Sequence, residues 1–256
     1  MSSGGGRDER VNSLVRGLEV LKAFGRYHEP MTISEVATET GLTPASARRM
    51  LLTLTDLGYV ELRGKRFRVG PKVLDLGYSY MSSMPIWQIV QPAVERISEK
   101  FSVSSSASVL DGCDIVYAVR ANNRQASSVL VSTGTRQPAH VTSMGRVLLA
   151  FTEPERRETI LSQIHFSAYT SHSVMDIDQL RLILEQVRGQ NFSIVDEEME
   201  FGLRAIAVPI RNKRGEVVAA INAAGSNRAL DLDYLKNTVL PAMFDAANMI
   251  KANLPA

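Results

Sequence analysis

Ser46, Arg48 and Arg49 follow Thr43-Pro44 at the start of a helix-forming stretch, and that placement suits recognition of DNA bases. Thr43 supplies an N-cap hydroxyl. Pro44 takes the first helical position, where its missing N–H is not needed. In a helix-turn-helix the N-terminal residues of the second helix face base edges in the major groove. An arginine there can make a bidentate contact to guanine, typically worth about 1–3 kcal/mol of discrimination. Farther on, Arg63, Lys65 and Arg66 surround Gly64 in one short turn. Three cations at a hairpin tip suit phosphates or the minor groove. The plainer reading is a solvated charged turn, but its place behind a capped helix pair favours DNA.

The elements needed to hold these groups are legible around them. Thr32-Ile33-Ser34-Glu35 predicts a capping box. Val36 and Ala37 give a short helix its apolar side, and Gly41 suits the left-handed stop after it. Ala47, Met50, Leu51, Leu54 and Leu57 recur at spacings of three and four, so the second helix buries one face. Residues 59–62 and 67–69 alternate apolar and polar, as half-buried strands do. Ahead of the motif, residues 11–27 predict a helix whose stripe of Leu14, Val15, Leu18, Leu21 and Phe24 packs on the other two. A contribution of Leu14, Leu18 or Leu21 to a subunit contact is a further expectation. After the hairpin, Pro71 opens a helical linker to Pro85, amphipathic through Leu74, Leu76, Tyr78 and Met81.

Composition limits the alternatives. The chain has 256 residues, 45% hydrophobic and 22% charged, as in an ordinary globular protein. Its formal net charge of +2 announces no partner, although the first third leans basic and the remainder slightly acidic. No apolar run approaches the roughly 20 residues that span a bilayer. MSSGGGRDER lacks the apolar core of a signal peptide and reads as a flexible leader. The lone Cys113 excludes an intramolecular disulfide and fits a reducing cytoplasm. It lies between Gly112 and Asp114 with Asp111 close by, and carboxylates raise a thiol's pKa, so a nucleophile is not expected there.

The second half mixes helices and strands. Residues 86–100 predict a helix with Pro92 early in it. Residues 104–110, 115–120 and 127–132 predict strands joined by turns at Asp111-Gly112 and Asn122-Asn123. Helices follow over 142–151, 153–164 and 176–190, then strands over 193–196, 203–210 and 217–224 with a turn at Arg214-Gly215. A long helix over 231–253 closes the chain. This order predicts an α+β fold with a central antiparallel sheet and helices on its faces. The histidines His28, His140, His165 and His172 lack the spacing of a zinc-binding helix pair, and no cysteine joins them. No glycine-rich phosphate loop or nucleophile elbow occurs. No catalytic residue, metal ligand or cofactor is expected. A small-molecule enzyme, or a sensor without DNA affinity, would leave the basic wing without a purpose.

The whole chain resembles the IclR family of bacterial transcriptional regulators. The resemblance is carried by LVRGLEVLKAF, ISEVATETGL, ARRMLLTLTDLGYV and GPKVLDLGY, then by TSMGRVLLAF, FSIVDEEMEFGLRAIAVPI and GEVVAAINAA. SMPIWQIVQP, AHVTSMGRVLLAF and GLRAIAVPI look closest to the branch controlling protocatechuate, 4-hydroxybenzoate and β-ketoadipate catabolism. The resemblance implies a winged helix-turn-helix over residues 11–70 after a leader over 1–10, a linker helix over 71–85, and a GAF-like effector domain over 86–256. It implies double-stranded operator DNA and a small organic acid as partners. It further implies a homodimer, often a dimer of dimers, with RNA polymerase as another candidate partner. A ligand-responsive regulator of an aromatic-acid catabolic operon is therefore expected. The alternative is a regulator responding to a non-aromatic carboxylic acid.

Three features locate the effector. Thr142-Ser143-Met144-Gly145 opens a helix, whose free N–H groups favour a carboxylate. The loop from Asp196 to Glu200 stands beside Gly202 and Arg204 and reads as a solvated acidic loop; the resemblance implies a structural salt bridge at Glu198 as the alternative, and Glu198 is not assigned to anion binding, since it would repel an anion. Asn222, on an apolar strand, needs a hydrogen-bond partner that a ligand could supply. The expected anchor is Arg204 with Met144 and Ile206 packing on the apolar part. Arg120 is the competing anchor.

Overall fold

The computed structural model describes residues 10–27, 29–122 and 131–255. The chain divides into two compact units, residues 1–83 and 84–256. Among the described residues no helix is long and apolar enough to cross a membrane. The expected leader, His28, the turn at Asn123 and most of the strand over 127–132 lie outside the described residues.

The first unit runs α1 (Asn12–Tyr27), α2 (Ile33–Thr40), α3 (Pro44–Asp56), β1 (Val60–Arg63), β2 (Arg66–Val69), a single 3-10 turn (Pro71–Val73) and α4 (Leu74–Ser83). The capping box forms: Glu35 N donates to Thr32 Oγ1 and Thr32 N to Glu35 Oε2, at 3.3 and 2.7 Å. Gly41 ends α2 at φ 66°, and Thr43 caps α3 by accepting from Ser46 N. Strands β1 and β2 pair from Val60↔Val69 to Arg63↔Arg66, with Gly64 at φ 61° in the turn. Val20, Phe24, Met31, Val36, Leu51, Leu54 and Phe67 form the core.

Two apolar stripes differ from the expected packing. In α1 only Val20, Ala23 and Phe24 are buried, whereas Leu14, Val15 and Leu18 are exposed. The cause is geometric: Val20 and Phe24, four residues apart, turn one face inward and leave the preceding leucines outside it. Helix α4 buries nothing, with Leu74 and Tyr78 more than 70% exposed.

The second unit runs α5 (Ile86–Phe101), β3 (Ser104–Asp111), β4 (Asp114–Ala121), β5 (Arg136–Pro138), a 3-10 turn (Ala139–Val141), α6 (Ser143–Phe151), α7 (Pro154–Leu161), α8 (Ile177–Gln190), β6 (Ser193–Asp196), β7 (Leu203–Arg211), β8 (Val217–Ser226), α9 (Leu232–Tyr234), a π-turn (Leu235–Val239) and α10 (Leu240–Asn253). The six strands form one antiparallel sheet in the order β5-β4-β3-β8-β7-β6. Helix α6 packs on the sheet with α8 behind it, and α5 and α10 pack together against β3, β4 and β7. Met144, Val147 and Leu148 of α6 meet Ile115, Tyr117, Ala207 and Ala220 of the sheet in one apolar core.

Strand β5 was not anticipated, because Arg136-Gln137-Pro138 has no apolar alternation to read. The expected closing helix is interrupted by the π-turn. Pro241 has no N–H for the carbonyl four residues back, and a widened turn just before it accommodates that loss.

Candidate DNA-facing surface and effector cavity

Arg48 and Arg49 project from the exposed side of α3, opposite buried Ala47, Leu51 and Leu54. Among the described residues neither has an ion-pair partner, and Lys65 has none either. Thr43 is exposed but its hydroxyl already caps α3, and Ser46 is half-buried. Arg63 stands 3.9 Å from Glu61, a loose exposed pair that leaves its charge available.

Arg66 is a wing cation with partners inside the unit. Its Nη1 donates to Pro30 O at 2.8 Å and to Glu35 Oε2 at 3.2 Å. It braces the wing against the start of α2, with its side chain still 53% exposed. Glu35 is held below the usual carboxylate range by the Thr32 backbone N–H first, then by the Thr32 hydroxyl and Arg66. Lys72 adds a second brace: its Nζ donates to Leu57 O at 2.9 Å and lies over the Tyr59 ring. The end of α3 and the root of the wing are thereby tied together.

The second unit holds a cavity of about 70 Å³, lined from β4 by Tyr117 and Arg120, from α6 by Ser143 and Met144, and from β8 by Asn222. One water needs roughly 10–15 Å³, so the space suits a small organic molecule. Arg120, Ser106 and Asn222 form one row across three strands, since Ser106 pairs with Arg120 on one side and Asn222 on the other. Residues directly opposite in such a pair share a face of the sheet.

Among the described residues Arg120 is the one cation in the cavity wall. Its guanidinium donates to Ser106 Oγ at 3.3 Å and to Asn122 Oδ1, and lies 5.8 Å from the Tyr117 ring centroid. None of those partners is a carboxylate. Burial lowers its pKa and Tyr117 partly offsets that; an arginine stays charged nonetheless. The Tyr117 phenol donates to Gln137 Oε1 at 2.8 Å, and burial pushes its pKa up to about 12. Asn222 is 6% exposed and its Oδ1 has no hydrogen-bond partner.

Three expected effector residues lie elsewhere. Arg204 clasps Asp196 through Nε and Nη2 at 2.8 and 2.7 Å and donates to Leu230 O at 2.8 Å. Its neighbours Leu203 and Ala205 line the cavity, so alternation turns Arg204 and Ile206 to the opposite face. Gly145 is a packing residue. A Cβ there would sit 2.2 Å from the Ala139 carbonyl oxygen. Thr142, Ser143 and Met144 do line the cavity, and the Thr142 hydroxyl accepts from Gly145 N. Sequence reasoning missed Tyr117, Gln137 and Met199 in the cavity wall. Tyr117 carried no readable signal: three residues before Arg120, it would face the other way by alternation, and the register irregularity between Ala107 and Ser108 brings both to the cavity.

Behind the cavity, Arg146 of α6 grips Glu198 through two hydrogen bonds of 2.6 Å, and its Nε donates to His140 O. Val174 N also donates to Glu198 Oε2. His140 is 2% exposed with no partner for either ring nitrogen, and its ring packs edge-on to Phe166. Burial first, then the Arg146 charge, pushes its pKa below the ordinary value, while Asp114 pulls weakly the other way. The unfolded chain therefore binds more protons here than the folded one. This contribution is fully present above the unfolded pKa of about 6.5 and is lost as pH falls from there through the lower folded pKa. The Tm of this unit should fall between about pH 7.5 and 5.5, and His140→Phe should flatten that slope. Identical slopes in both proteins would assign the pH dependence to other groups.

Cys113 offers no activated thiol: burial first, then Asp114, raises its pKa. Among the described residues no cluster of His, Cys, Asp and Glu could hold a metal ion.

Comparison with known proteins agrees with both halves. Residues 13–64 match the IclR helix-turn-helix domain, and residues 78–252 match the bacterial transcriptional regulator IclR C-terminal family. The chain is 37% identical over 243 residues to the Pca regulon regulatory protein of Pseudomonas putida, covering 94% of this chain and 84% of that one. It is 31% identical to the p-hydroxybenzoate hydroxylase transcriptional activator of Acinetobacter baylyi, covering 95% and 92%. A solved transcriptional regulator from Rhodococcus sp. RHA1 superimposes with a TM-score of 0.83 at 40% identity, over 96% of this chain and 98% of that one. An IclR homolog from Microbacterium hydrocarbonoxydans, complexed with 4-hydroxybenzoate, gives 0.80 at 26% identity, over 94% and 98%. With a capped helix pair and wing in one unit, a small cavity in the other and family matches across both, the chain belongs to the IclR family of bacterial transcriptional regulators.

Proposed function

We propose that the protein is a cytoplasmic homodimer that binds an inverted-repeat operator and responds to a small aromatic carboxylic acid, controlling an operon for its breakdown. The carrying observation is Arg120: a cation in the wall of a small cavity, with no carboxylate partner among the described residues. An acid of matching size would complete it. The relatives named for the Pca regulon and for p-hydroxybenzoate hydroxylase support an aromatic acid, as does the homolog complexed with 4-hydroxybenzoate.

On the DNA side Arg48 and Arg49 read bases and Arg63 and Lys65 meet phosphates. The exposed Leu14, Val15 and Leu18 of α1 and the uncovered Leu74 and Tyr78 of α4 support dimerisation through the first unit. An apolar surface of this kind marks an interaction site. Twofold symmetry then demands two half-sites about one helical turn, or a multiple, apart. The acid can shift operator affinity only by its differential affinity for the two arrangements, typically about 1–3 kcal/mol.

The test is anisotropy of a labelled operator, read with and without 4-hydroxybenzoate or protocatechuate, alongside sedimentation. A dimer is expected whose operator affinity changes with acid. Arg120→Ala should weaken the response about tenfold or more, the worth of a hydrogen bond to a charged group, with acid-free operator affinity unchanged. Arg48→Ala with Arg49→Ala should relax base preference. An acid response of unaltered midpoint in Arg120→Ala would sink the anchor. Unchanged operator selectivity in the arginine pair would sink the DNA assignment, and a monomer with full affinity would sink the dimer.

A further inference from the structure

Resting on Arg120 as the carboxylate anchor, we infer that Asn222 selects the effector: one negative charge, with a neutral hydroxyl on the far side of the ring. Three observations carry this. The first is the row. Arg120, Ser106 and Asn222 stand on three adjacent strands, so the two outer residues start about 10 Å apart. Both side chains reach the cavity. Ser106 between them is fully buried and accepts from Arg120 at 3.3 Å, which fixes the guanidinium in the cavity wall.

The second observation is the amide. Asn222 is 6% exposed, and among the described residues its Oδ1 has no hydrogen-bond partner. A buried polar group left unmatched is costly. An amide both donates and accepts, and so does a hydroxyl, so either orientation of the Asn222 side chain matches one. A benzoate whose carboxylate sits on Arg120 presents its para position toward Asn222. An ortho hydroxyl would stay at the Arg120 end of the row.

The third observation is charge. Among the described residues Arg120 is the one charged residue in the cavity wall; the remainder is Ser, Thr, Tyr, Gln, Asn and apolar side chains. A para-dicarboxylate would put its second anion against Asn222 with no cation to meet it. Burying an unpaired charge is far costlier than burying a hydroxyl that finds its hydrogen bonds. The cavity therefore accepts a hydroxy monoacid and rejects a diacid of the same length.

Calorimetry on the full chain tests this with benzoate, 2-hydroxybenzoate, 4-hydroxybenzoate and terephthalate. The wild type should bind 4-hydroxybenzoate about tenfold more tightly than benzoate, the worth of about one hydrogen bond, and terephthalate more weakly than either. Asn222→Leu should bring the first two within about threefold while keeping benzoate binding. The wild-type ranking stands as a measurement of its own if that variant does not fold. Equal or tighter wild-type binding of 2-hydroxybenzoate or terephthalate overturns the inference, as does an unchanged preference in folded Asn222→Leu. In those cases Arg120→Ala still weakening every acid would leave the anchor intact. No wild-type binding of any acid would overturn the anchor and this assignment together.

Discussion

Glu198→Ala should cost the second unit about 3–5 kcal/mol, because it strands the Arg146 guanidinium without its counter-charge. Arg146 is 3% exposed, so water cannot replace the lost carboxylate. Val174 N would lose its acceptor as well. The neighbouring Arg181–Glu158 pair is the comparison: both side chains are nearly half exposed, and breaking it should cost under about 1 kcal/mol. Urea unfolding monitored on both variants separates the cases. A double replacement of Arg146 and Glu198 by Met and Leu should regain much of the loss, since burying the pair is itself costly. A Glu198→Ala loss no larger than that of Glu158→Ala would show that the pair is solvated in solution.

Gly145→Ala should be similarly damaging for a steric reason. The added methyl would sit 2.2 Å from the Ala139 carbonyl oxygen and 2.3 Å from its Cα. Both are backbone atoms, so no side chain can swing aside. Either α6 or the turn before it must move, and overpacking of this kind costs about 1–3 kcal/mol, or more when backbone must shift. The same movement displaces Ser143 and Met144, so acid affinity should fall along with Tm. Gly189 in α8 has nothing within 4 Å of a built Cβ, and Gly189→Ala should stabilise by about 0.5–1 kcal/mol. Unaltered Tm and acid affinity in Gly145→Ala would refute the close approach.

The parts readable in advance were the local ones. The capping box at Thr32, the Gly41 stop and the Thr43-Pro44 start each depend on residues within four positions of one another. The rest turned on long-range partners. Arg66 stands among other cations in sequence, but its acceptors are Pro30 and Glu35 on another element. Arg204 looked like an anchor because Asp196 faces it only through the β6–β7 register. Alternation alone, with Leu203 and Ala205 turned inward, would have removed it. The link between Arg120 and Asn222 was beyond reach, since it runs through Ser106 and needs both strand registers. The apolar stripe of α1 was read as core because periodicity tells which residues share a face, not what covers that face.

The sheet order also sets a timetable. Strand β8 is the last of the six in sequence, yet it lies between β3 and β7 at the centre. During synthesis β3 and β4 can pair as a hairpin early, but Ser106 waits for Asn222, more than 100 residues later. The first unit is complete by residue 83 and folds from contacts close in sequence. A growing or prematurely ended chain thus gains its reading head long before its sensor. Any fragment stopping short of β8 would carry the surface for DNA and none of the means to be told when to let go.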